Sequence, residues 1–414
     1  HIVALAEMMN FPGVVHADPG VLAKVKLGLE RRLVDGHAPG LSGPRLQAYV
    51  AAGISSDHEC TVASEALEKL ALGQRIYIRE GSAARNLEAL IGIITPENAH
   101  RICFCTDDRH PADLRDQGHI DHVVRRAIAL GLSPQLAFTI ASLSPAEHYR
   151  QPDLGSIAPG RFADLLVLSD RDHVAIHQTW FRGRKVAESG QYLGAQRNAS
   201  TPPSAPIRIS GSLSEADFRI APDPLPTHIR VIGMHADQLV TDALVRESPV
   251  KDGALVADAS TDLLKLAVIE RHRASGRVGL GFVTGFGFTG GAMASTVGHD
   301  AHNLAVVGDN DEDMVLAART LAGCGGGQCV VAGGRVLAVL PLPIAGLMSD
   351  QPAEAVIRQQ AALLEAAAKL GCPHHDPFMP LSFLPLPVIP HLKLTDLGLV
   401  DVDRFEVVGL GVDG

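Results

Sequence analysis

Aromatic residues are scarce in this chain: Phe, Trp and Tyr together make up 4% of its 414 residues. Proteins that bind single-stranded nucleic acid stack the bases on aromatic side chains, so this scarcity argues against that class. An excess of positive charge is also missing, because 36 Lys and Arg stand against 46 Asp and Glu, a formal net charge of −10. This balance argues against binding to nucleic acid or to an anionic membrane surface.

Paired cysteines and long apolar runs are missing as well. The six cysteines include no CxxC pair, which predicts free thiols in a reducing, cytoplasmic compartment. No uncharged apolar run approaches the roughly 20 residues that a membrane-spanning helix needs. The chain opens as "HIVALAE", without an initiator Met or a signal-peptide pattern, so we expect a native N-terminal portion to precede it.

Strand and helix patterns alternate through the first 130 residues. Apolar runs that end in a polar residue are followed by helical patterns, and they read "HIVALAE", "RRLVDGH", "AAGISSDH", "RIYIRE" and "RICFCTDD". Such alternation predicts the α/β class with a parallel sheet, and we expect the later part of a (β/α)8 TIM-type barrel. A doubly wound open sheet is the alternative, but it does not require a titratable residue at the end of each strand.

Composition changes along the chain predict four parts. Residues 1–150 form the later βα units of the barrel, and residues 151–200, with a hairpin pattern at "HVAIHQTWFRGRKVAESG", form a small β-sandwich segment. Residues 201–227 are rich in Pro and Ser and are predicted to be a linker. Residues 228–414 alternate Gly- and Val-rich strands with helices such as 311–324, which predicts an additional α+β C-terminal domain.

The strand ends carry residues that could hold a metal ion. These are Glu7, His37, His58 and Asp107, and a further carboxylate, Glu80, ends another strand. In a barrel the carboxyl ends of the strands converge on one mouth, where oxygen and imidazole ligands suit divalent cations. A single strand-end His or Asp is more often a cap, but four in consecutive βα units favour a metal site.

Several of these stretches resemble the adenine deaminase family of the amidohydrolase superfamily. The matching barrel motifs are "AEMMNFPGVV", "VDGHAPGLSG", "GISSDHE", "REGSAARNL" and "CTDDRHPADL…GHID". The later stretches "GFGFTGGAMASTVGHDAHNLAVVG", "NDEDM" and "LPLPIAGLMSD" resemble the C-terminal domain particular to that family. The barrel motifs alone indicate only the superfamily, whereas the C-terminal motifs make the resemblance specific.

The resemblance implies a role for each strand-end residue. Glu7 would bridge two metal ions, and His37 and His58 would bind the second metal. Asp107 would bind metal and shuttle a proton. The family also needs a His-x-His pair, and no two of the 19 histidines here are two residues apart. We therefore expect that pair in strands upstream of His1.

The resemblance also implies a reaction and its requirements. Two divalent ions per subunit, Mn or Fe or alternatively Zn, would activate water to attack C6 of adenine, giving hypoxanthine and ammonia. Protonation of the purine ring is assigned to Glu80, and Arg79 and Asp108 are candidate substrate contacts. Arg79 could instead pair with Glu80. The predicted partners are adenine and further copies of the chain, as a homodimer or higher homo-oligomer, with no nucleic acid or membrane.

Two other functions stay open at this point. A cyclic-amide hydrolase of the dihydroorotase or hydantoinase type shares the barrel, but it commonly uses a carboxylated Lys where this chain has Glu7. A catalytically silent barrel used as a binding module would account for the absent His-x-His pair. A polar cluster of His299, Asp300 and His302 could be a second metal site, a loop over the barrel mouth or structural hydrogen bonding.

Overall fold

A computed structural model describes residues 2–82, 84–195, 207–235 and 239–412. It divides into two compact units, His1–Ala199 and Ser200–Gly414. Of the predicted linker 201–227, the first six residues lie outside the described ranges. No helix among the described residues has the length and apolar character to span a bilayer.

Five short strands of unit 1 alternate with helices, as the sequence pattern predicts. The strands are β1 (Leu5–Met8), β2 (Val34–Gly36), β3 (Ser56–Asp57), β4 (Arg75–Arg79) and β5 (Ile102–Cys105). The helices among and after them are α1 (Phe11–Val15), α2 (Pro19–Arg31), α3 (Gly43–Ala51), α4 (Ala63–Ala71), α5 (Leu87–Leu90), α6 (Pro111–Asp116), α7 (Ile120–Ala129) and α8 (Pro134–His148).

The strands pair in parallel and in chain order. Strand β1 pairs with β2, and β4 lies between β3 and β5. A backbone hydrogen bond of 2.9 Å from Ser55 N–H to the Val34 carbonyl oxygen continues the order from β2 to β3. Parallel strands with intervening helices confirm the predicted α/β arrangement, and the carboxyl ends of all five strands lie at one edge. Closure into an eight-stranded barrel stays a prediction.

Two hydrophobic clusters hold these strands against their helices. Ile76 and Ile78 of β4 are fully buried with Ile102 and Phe104 of β5, and Val123 of α7 packs on them. A second cluster joins Val34 of β2 to Tyr49 of α3 and to residues of α1 and α2. Burial of this apolar area fixes the strands and so fixes where the strand ends point.

The end of unit 1 is an antiparallel four-stranded sheet. Its strands are β6 (Leu165–Asp170), β7 (Ala175–Phe181), β8 (Arg184–Glu188) and β9 (Gln191–Tyr192), paired in that order. Strands β7 and β8 are the hairpin that the sequence predicts for residues 173–190. The assignment of this sheet to a β-sandwich, like the other domain boundaries, stays a prediction.

Unit 2 is built on an eight-stranded sheet of order β11-β10-β15-β14-β17-β16-β18-β19, antiparallel except between β10 and β15. Its strands are β10 (His228–Gly233), β11 (Asp242–Glu247), β14 (Leu264–Ile269), β15 (Val278–Thr284), β16 (Ala292–Ser295), β17 (Leu304–Gly308), β18 (Gly327–Ala332) and β19 (Arg335–Pro341). The remaining elements are β12 (Val250–Lys251), β13 (Ala254–Leu255), β20 (Leu392–Thr395), β21 (Gly398–Asp401), β22 (Glu406–Val408), α9 (Asp311–Gly323), α10 (Ala353–Lys369) and α11 (Phe378–Phe383).

From residue 207 onward, the segment predicted as a linker is partly packed into a hydrophobic core and is not a solvated connection. Leu213 and Phe218 are buried in the core beneath α9, and a short 3-10 helix, Glu215–Phe218, carries Phe218. Apolar side chains spaced through a polar segment can bury themselves without forming long elements, because burying a Phe side chain gains about 2 kcal/mol. The high Pro and Ser content of the segment indicates a linker and gives no sign of this packing.

Candidate metal and catalytic centre

Six polar side chains meet at the carboxyl edge of β1 to β5, and we call them the strand-end cluster. Its members are Glu7, His37, His58, Glu59, Arg79 and Asp107. Four of the six are the residues that the sequence predicts as metal ligands. The structure thus brings together side chains that lie up to 100 residues apart in the chain.

The first part of the cluster is a carboxylate between two imidazoles. Glu7 Oε1 lies 3.2 Å from His37 Nδ1, and Glu7 Oε2 lies 3.2 Å from His58 Nε2. One ligand atom from each of the three residues lies within 4.8 Å of the other two, a spacing at which they could share a metal ion. The two imidazole rings are 5.5 Å apart, edge to face.

The orientation of His37 depends on the close approach of β2 and β3. Gly36 precedes it, and a side chain there would collide with the Ser56 carbonyl oxygen of β3. Tyr49 of α3, fully buried, accepts a hydrogen bond from His37 N–H at 3.0 Å and donates one to the Met8 carbonyl oxygen at 2.8 Å. One hydroxyl therefore ties the residue after Glu7 to the backbone of His37.

The second part of the cluster joins His58 to two further carboxylates. His58 Nε2 lies 3.3 Å from Glu59 Oε1 and 3.4 Å from Asp107 Oδ2, and the three residues form another group able to hold a metal ion. Asp107 lies two residues past β5 with φ of 53°, in the left-handed region that Asp tolerates better than most residues. This turn directs its carboxylate back toward the cluster.

Arg79 is the buried cation of the cluster. Its guanidinium lies 2.5 Å from Glu59 Oε1 and 2.9 Å from Asp107 Oδ2, with 2% of the residue exposed. Asp108 Oδ2, 3.9 Å away, is more exposed. The sequence leaves two alternatives for Arg79, contact with substrate or an ion pair with Glu80. In the structure its ion-pair partners are the carboxylates of Glu59, Asp107 and Asp108, and within the described residues they do not include Glu80.

Burial and charge act in opposite directions on the titrating groups. Burial lowers the pKa of His58, but its hydrogen bond to Glu59 and the surrounding acidic charge outweigh this and raise that pKa to about 10. Burial raises the pKa of Glu59, but the charges of His37 and Arg79 and the hydrogen bond with His58 bring it well below its usual range. Burial also raises the pKa of Asp107, against the effect of Arg79.

The donor set fits a divalent cation. Both ring nitrogens of His37 are buried without a hydrogen-bond partner among the described residues, although Glu7 and Glu59 oxygens lie within 3.4 Å of Nδ1. A buried imidazole without hydrogen bonds is costly unless something else satisfies it. Carboxylate oxygen and imidazole nitrogen are ligands that Mn, Fe and Zn accept. The residues present therefore match a metal centre better than a purely structural cluster.

The sequence predicts that Glu80 faces the barrel mouth together with the other strand-end residues. In the structure its side chain points elsewhere. Its amide donates to the Cys105 carbonyl oxygen at 2.9 Å, so the strand alternation continues and sends Arg79 and Glu80 to opposite faces. The Glu80 carboxylate, 1% exposed at the residue level, lies 3.2 Å from an Arg126 nitrogen of α7 and accepts a 3.2 Å hydrogen bond from Leu87 N–H. Its contacts are with the helices.

Glu59 is the member that sequence reasoning missed. It follows His58 directly in the quoted motif "GISSDHE", and adjacent residues of a strand would point to opposite faces. Strand β3 has already ended at Asp57, so that restriction no longer applies, and both side chains reach the cluster. The available signal was the carboxylate itself, one position past a predicted metal ligand.

The polar cluster of unit 2 has ordinary packing contacts. The His299 ring stacks on Phe383 at 4.1 Å between centroids, and His302 N–H donates to the Gly298 carbonyl oxygen at 2.7 Å. Among the described residues, the groups able to hold a metal ion include neither of these histidines nor Asp300. Structural hydrogen bonding is the alternative that these contacts favour.

Comparison with known proteins gives matches over both units. Residues 2–186 match the amidohydrolase family, and residues 238–406 match the adenine deaminase C-terminal domain. A protein named adenine deaminase from Desulfatibacillum aliphaticivorans is 50% identical over 410 residues, which cover 99% of this chain and 72% of that relative.

Two further relatives carry the same name. The one from Nitratidesulfovibrio vulgaris strain DP4 is 48% identical over 415 residues, covering 99% of this chain and 72% of the relative. The one from Methanothrix thermoacetophila is 45% identical over 411 residues, covering 99% and 71%. The match to the amidohydrolase family supports the α/β fold predicted for unit 1.

Proposed function

The chain belongs to the adenine deaminase family of amidohydrolases, and we propose that the strand-end cluster is its hydrolytic centre. The protein deaminates adenine, an enzymatic hydrolysis of a C–N bond that leaves hypoxanthine and ammonia. The proposal rests mainly on one observation: the ligand atoms of Glu7, His37 and His58 all lie within 4.8 Å of one another.

Two divalent cations are the proposed cofactor, Mn or Fe, with Zn as the alternative. Glu7 would bridge them, with His37 and His58 as ligands of the second ion. Asp107 would be a further ligand. A divalent cation supplies a nucleophile at neutral pH by lowering the pKa of water. The amidohydrolase family is metal-dependent, and the unpartnered nitrogens of buried His37 support its role as a ligand.

Asp107 is the proposed proton carrier. Its carboxylate lies beside His58 and is partly exposed, at 29% of the side chain, so it can meet both water and substrate. As the water oxygen bonds to C6 of adenine, the electron pair of the C6=N1 double bond moves to N1, and Asp107 accepts the proton that water loses. When the C6–amine bond breaks, the same carboxyl group returns that proton to the departing nitrogen, which leaves as ammonia.

The residues around Asp107 suit it to both proton transfers, from water and to the departing amine. The Arg79 guanidinium forms an ion pair with the Asp107 carboxylate at 2.9 Å and so holds its orientation, while Asp108, the next residue, is exposed enough to contact the purine. We retain Asp108 as a candidate substrate contact and assign Arg79 to orienting Asp107 and Glu59, because its guanidinium is buried between them. Assembly as a homodimer or larger homo-oligomer and a cytoplasmic location stay predictions.

A paired substitution tests this centre. We expect His37→Asn to lower bound metal and to reduce adenine loss, followed by ultraviolet absorbance with Mn²⁺ present, by about 100-fold or more, because replacing a residue that only orients a ligand already costs about 10- to 100-fold. His173→Asn is the control, because that side chain is 81% exposed and Asp170 is its one ion-pair partner within the part of the chain that the structure describes. Equal metal content and turnover in parent and His37→Asn would contradict the proposal.

A further inference from the structure

A buried ion pair lies behind the two histidines of the strand-end cluster. Lys69 of α4 and Asp57 of β3 are both fully buried, with the Lys69 ammonium 3.0 Å from Asp57 Oδ2. The same ammonium lies 2.7 Å from Glu65, one turn earlier on the helix. Removing two charges from water is costly, so a pair this deep needs further contacts to be kept.

Those contacts are with the residue that follows His37. Ala38 N–H donates to Asp57 Oδ1 at 2.8 Å, and the Lys69 ammonium donates to the Ala38 carbonyl oxygen at 2.7 Å. Both backbone groups of this fully buried residue are therefore held by the ion pair. The peptide groups that flank the Cα of Ala38 fix the direction in which the chain leaves His37.

The pair holds the chain around His58 in the same way. Asp57 precedes His58 directly, and its Oδ2 accepts hydrogen bonds from Glu59 N–H at 3.0 Å and from the Cys60 thiol at 3.3 Å. The loop after β3 thus folds back on the carboxylate of the last residue of that strand. One carboxylate and one ammonium restrain the backbone at both histidines, which lie 21 residues apart in the chain.

The position of the ammonium resembles that of a bound cation. Asp57, Cys60 and Glu65 present ligand atoms within 4.8 Å of one another, a group that could itself hold a metal ion. Lys69 supplies the positive charge between two of its carboxylates. A fixed ammonium gives these loops a cation that does not exchange with solvent.

We propose that Lys69 is a positioning residue, which acts with Asp57 to hold His37 and His58 in the arrangement that binds metal. This inference rests on the proposed function of the strand-end cluster. Residues that orient metal ligands through hydrogen bonds typically affect metal affinity by about 10- to 100-fold when they are replaced.

The test compares two Lys→Met variants of the whole chain. Lys69→Met removes the buried ammonium, and Lys369→Met removes an exposed one that also pairs with a Glu four residues earlier, at 2.8 Å. With Mn²⁺ as the probe, followed by its electron paramagnetic resonance signal, we expect the dissociation constant to rise about 10- to 100-fold in Lys69→Met. The control should stay within twofold of the parent.

A double variant separates positioning from stability. Lys69→Met leaves Asp57 buried without its cation, which destabilises the fold, whereas Asp57→Asn combined with Lys69→Met removes both charges. We expect the double variant to unfold at a higher temperature than Lys69→Met, while its Mn²⁺ affinity stays at least tenfold below that of the parent.

Three results are decisive. Weak Mn²⁺ binding in the double variant, with thermal stability regained, supports positioning. Parental affinity in either variant, including affinity that returns along with stability, overturns it. If the parent chain itself binds no Mn²⁺, the proposed metal centre fails instead, and that outcome is seen before any variant is compared.

Discussion

Replacing Tyr49 by Phe removes one oxygen atom from the support of the strand-end cluster. The hydroxyl accepts from His37 N–H and donates to the Met8 carbonyl oxygen, and all three residues are at most 5% exposed. Burial raises the pKa of the Tyr49 phenol, so the hydroxyl keeps its proton and remains a donor. The variant keeps the ring but leaves a backbone donor and a backbone acceptor unsatisfied.

The expected cost follows from those two groups. Each buried polar group left without a partner costs about 1–3 kcal/mol, and we take about 3 kcal/mol for the pair. For a unit of this size, 1 kcal/mol corresponds to about 2–4 °C in Tm. Unit 1 of Tyr49→Phe should therefore unfold about 6–12 °C below the parent.

The assay uses the single Trp of the chain, Trp180, which lies in β7 of unit 1. Its fluorescence is followed through urea and thermal unfolding. Tyr192→Phe is the matched control, because that residue is 68% exposed and should change stability by less than about 0.5 kcal/mol. A loss below about 0.5 kcal/mol in Tyr49→Phe would refute the bridging role of the hydroxyl.

Three other predictions concern single carboxylates. Asp107→Asn should lower adenine turnover by about 10²–10⁴-fold while metal content falls only in part, and near-normal turnover would exclude proton transfer by Asp107. Glu80→Gln should cost stability, because Arg126 loses one of its two carboxylate partners, and keep turnover within about threefold; a loss of about 100-fold in a folded variant would return Glu80 to the role of ring acid. Glu270 accepts hydrogen bonds from the amides of His272, Arg273 and Ser275. These bonds outweigh burial and lower its pKa from 4.5 to about 2, so its stabilising contribution is complete above pH 4.5 and is lost as the pH falls toward 2. Unfolding of Glu270→Gln against the parent at pH 7 and pH 2.5 checks this, and an equal gap at both pH values would contradict it.

The regular part of unit 1 could be predicted because it depends on local periodicity. The apolar run "RIYIRE" contains β4, and the amphipathic stretch 62–73 contains α4. The spacing of the βα units placed His37 and His58 at one edge of the sheet, where they lie with Glu7. The strand order of unit 2 could not be predicted in this way, since neighbours in the sheet such as β10 and β15 are separated in the chain by four strands, β11 to β14.

The parts of the cluster that sequence reasoning did not resolve depend on where each strand ends. The alternation of side chains between the two faces of the sheet persists one residue past β4, so Arg79 points toward Glu59 and Glu80 points toward α7. Alternation stops before His58, so two successive side chains enter the cluster. The difference is a matter of single backbone hydrogen bonds, such as Glu80 N–H to Cys105, which composition and spacing do not encode.

The proposal that the strand-end cluster binds catalytic metal is tested most directly by locating the metal. Crystals of the chain soaked in Mn²⁺ would be measured by anomalous scattering at the manganese edge. We predict an anomalous peak in contact with Glu7, His37 and His58 in the parent, and its loss in His37→Asn. A saturating soak that places Mn²⁺ elsewhere in the parent, or nowhere, would contradict it.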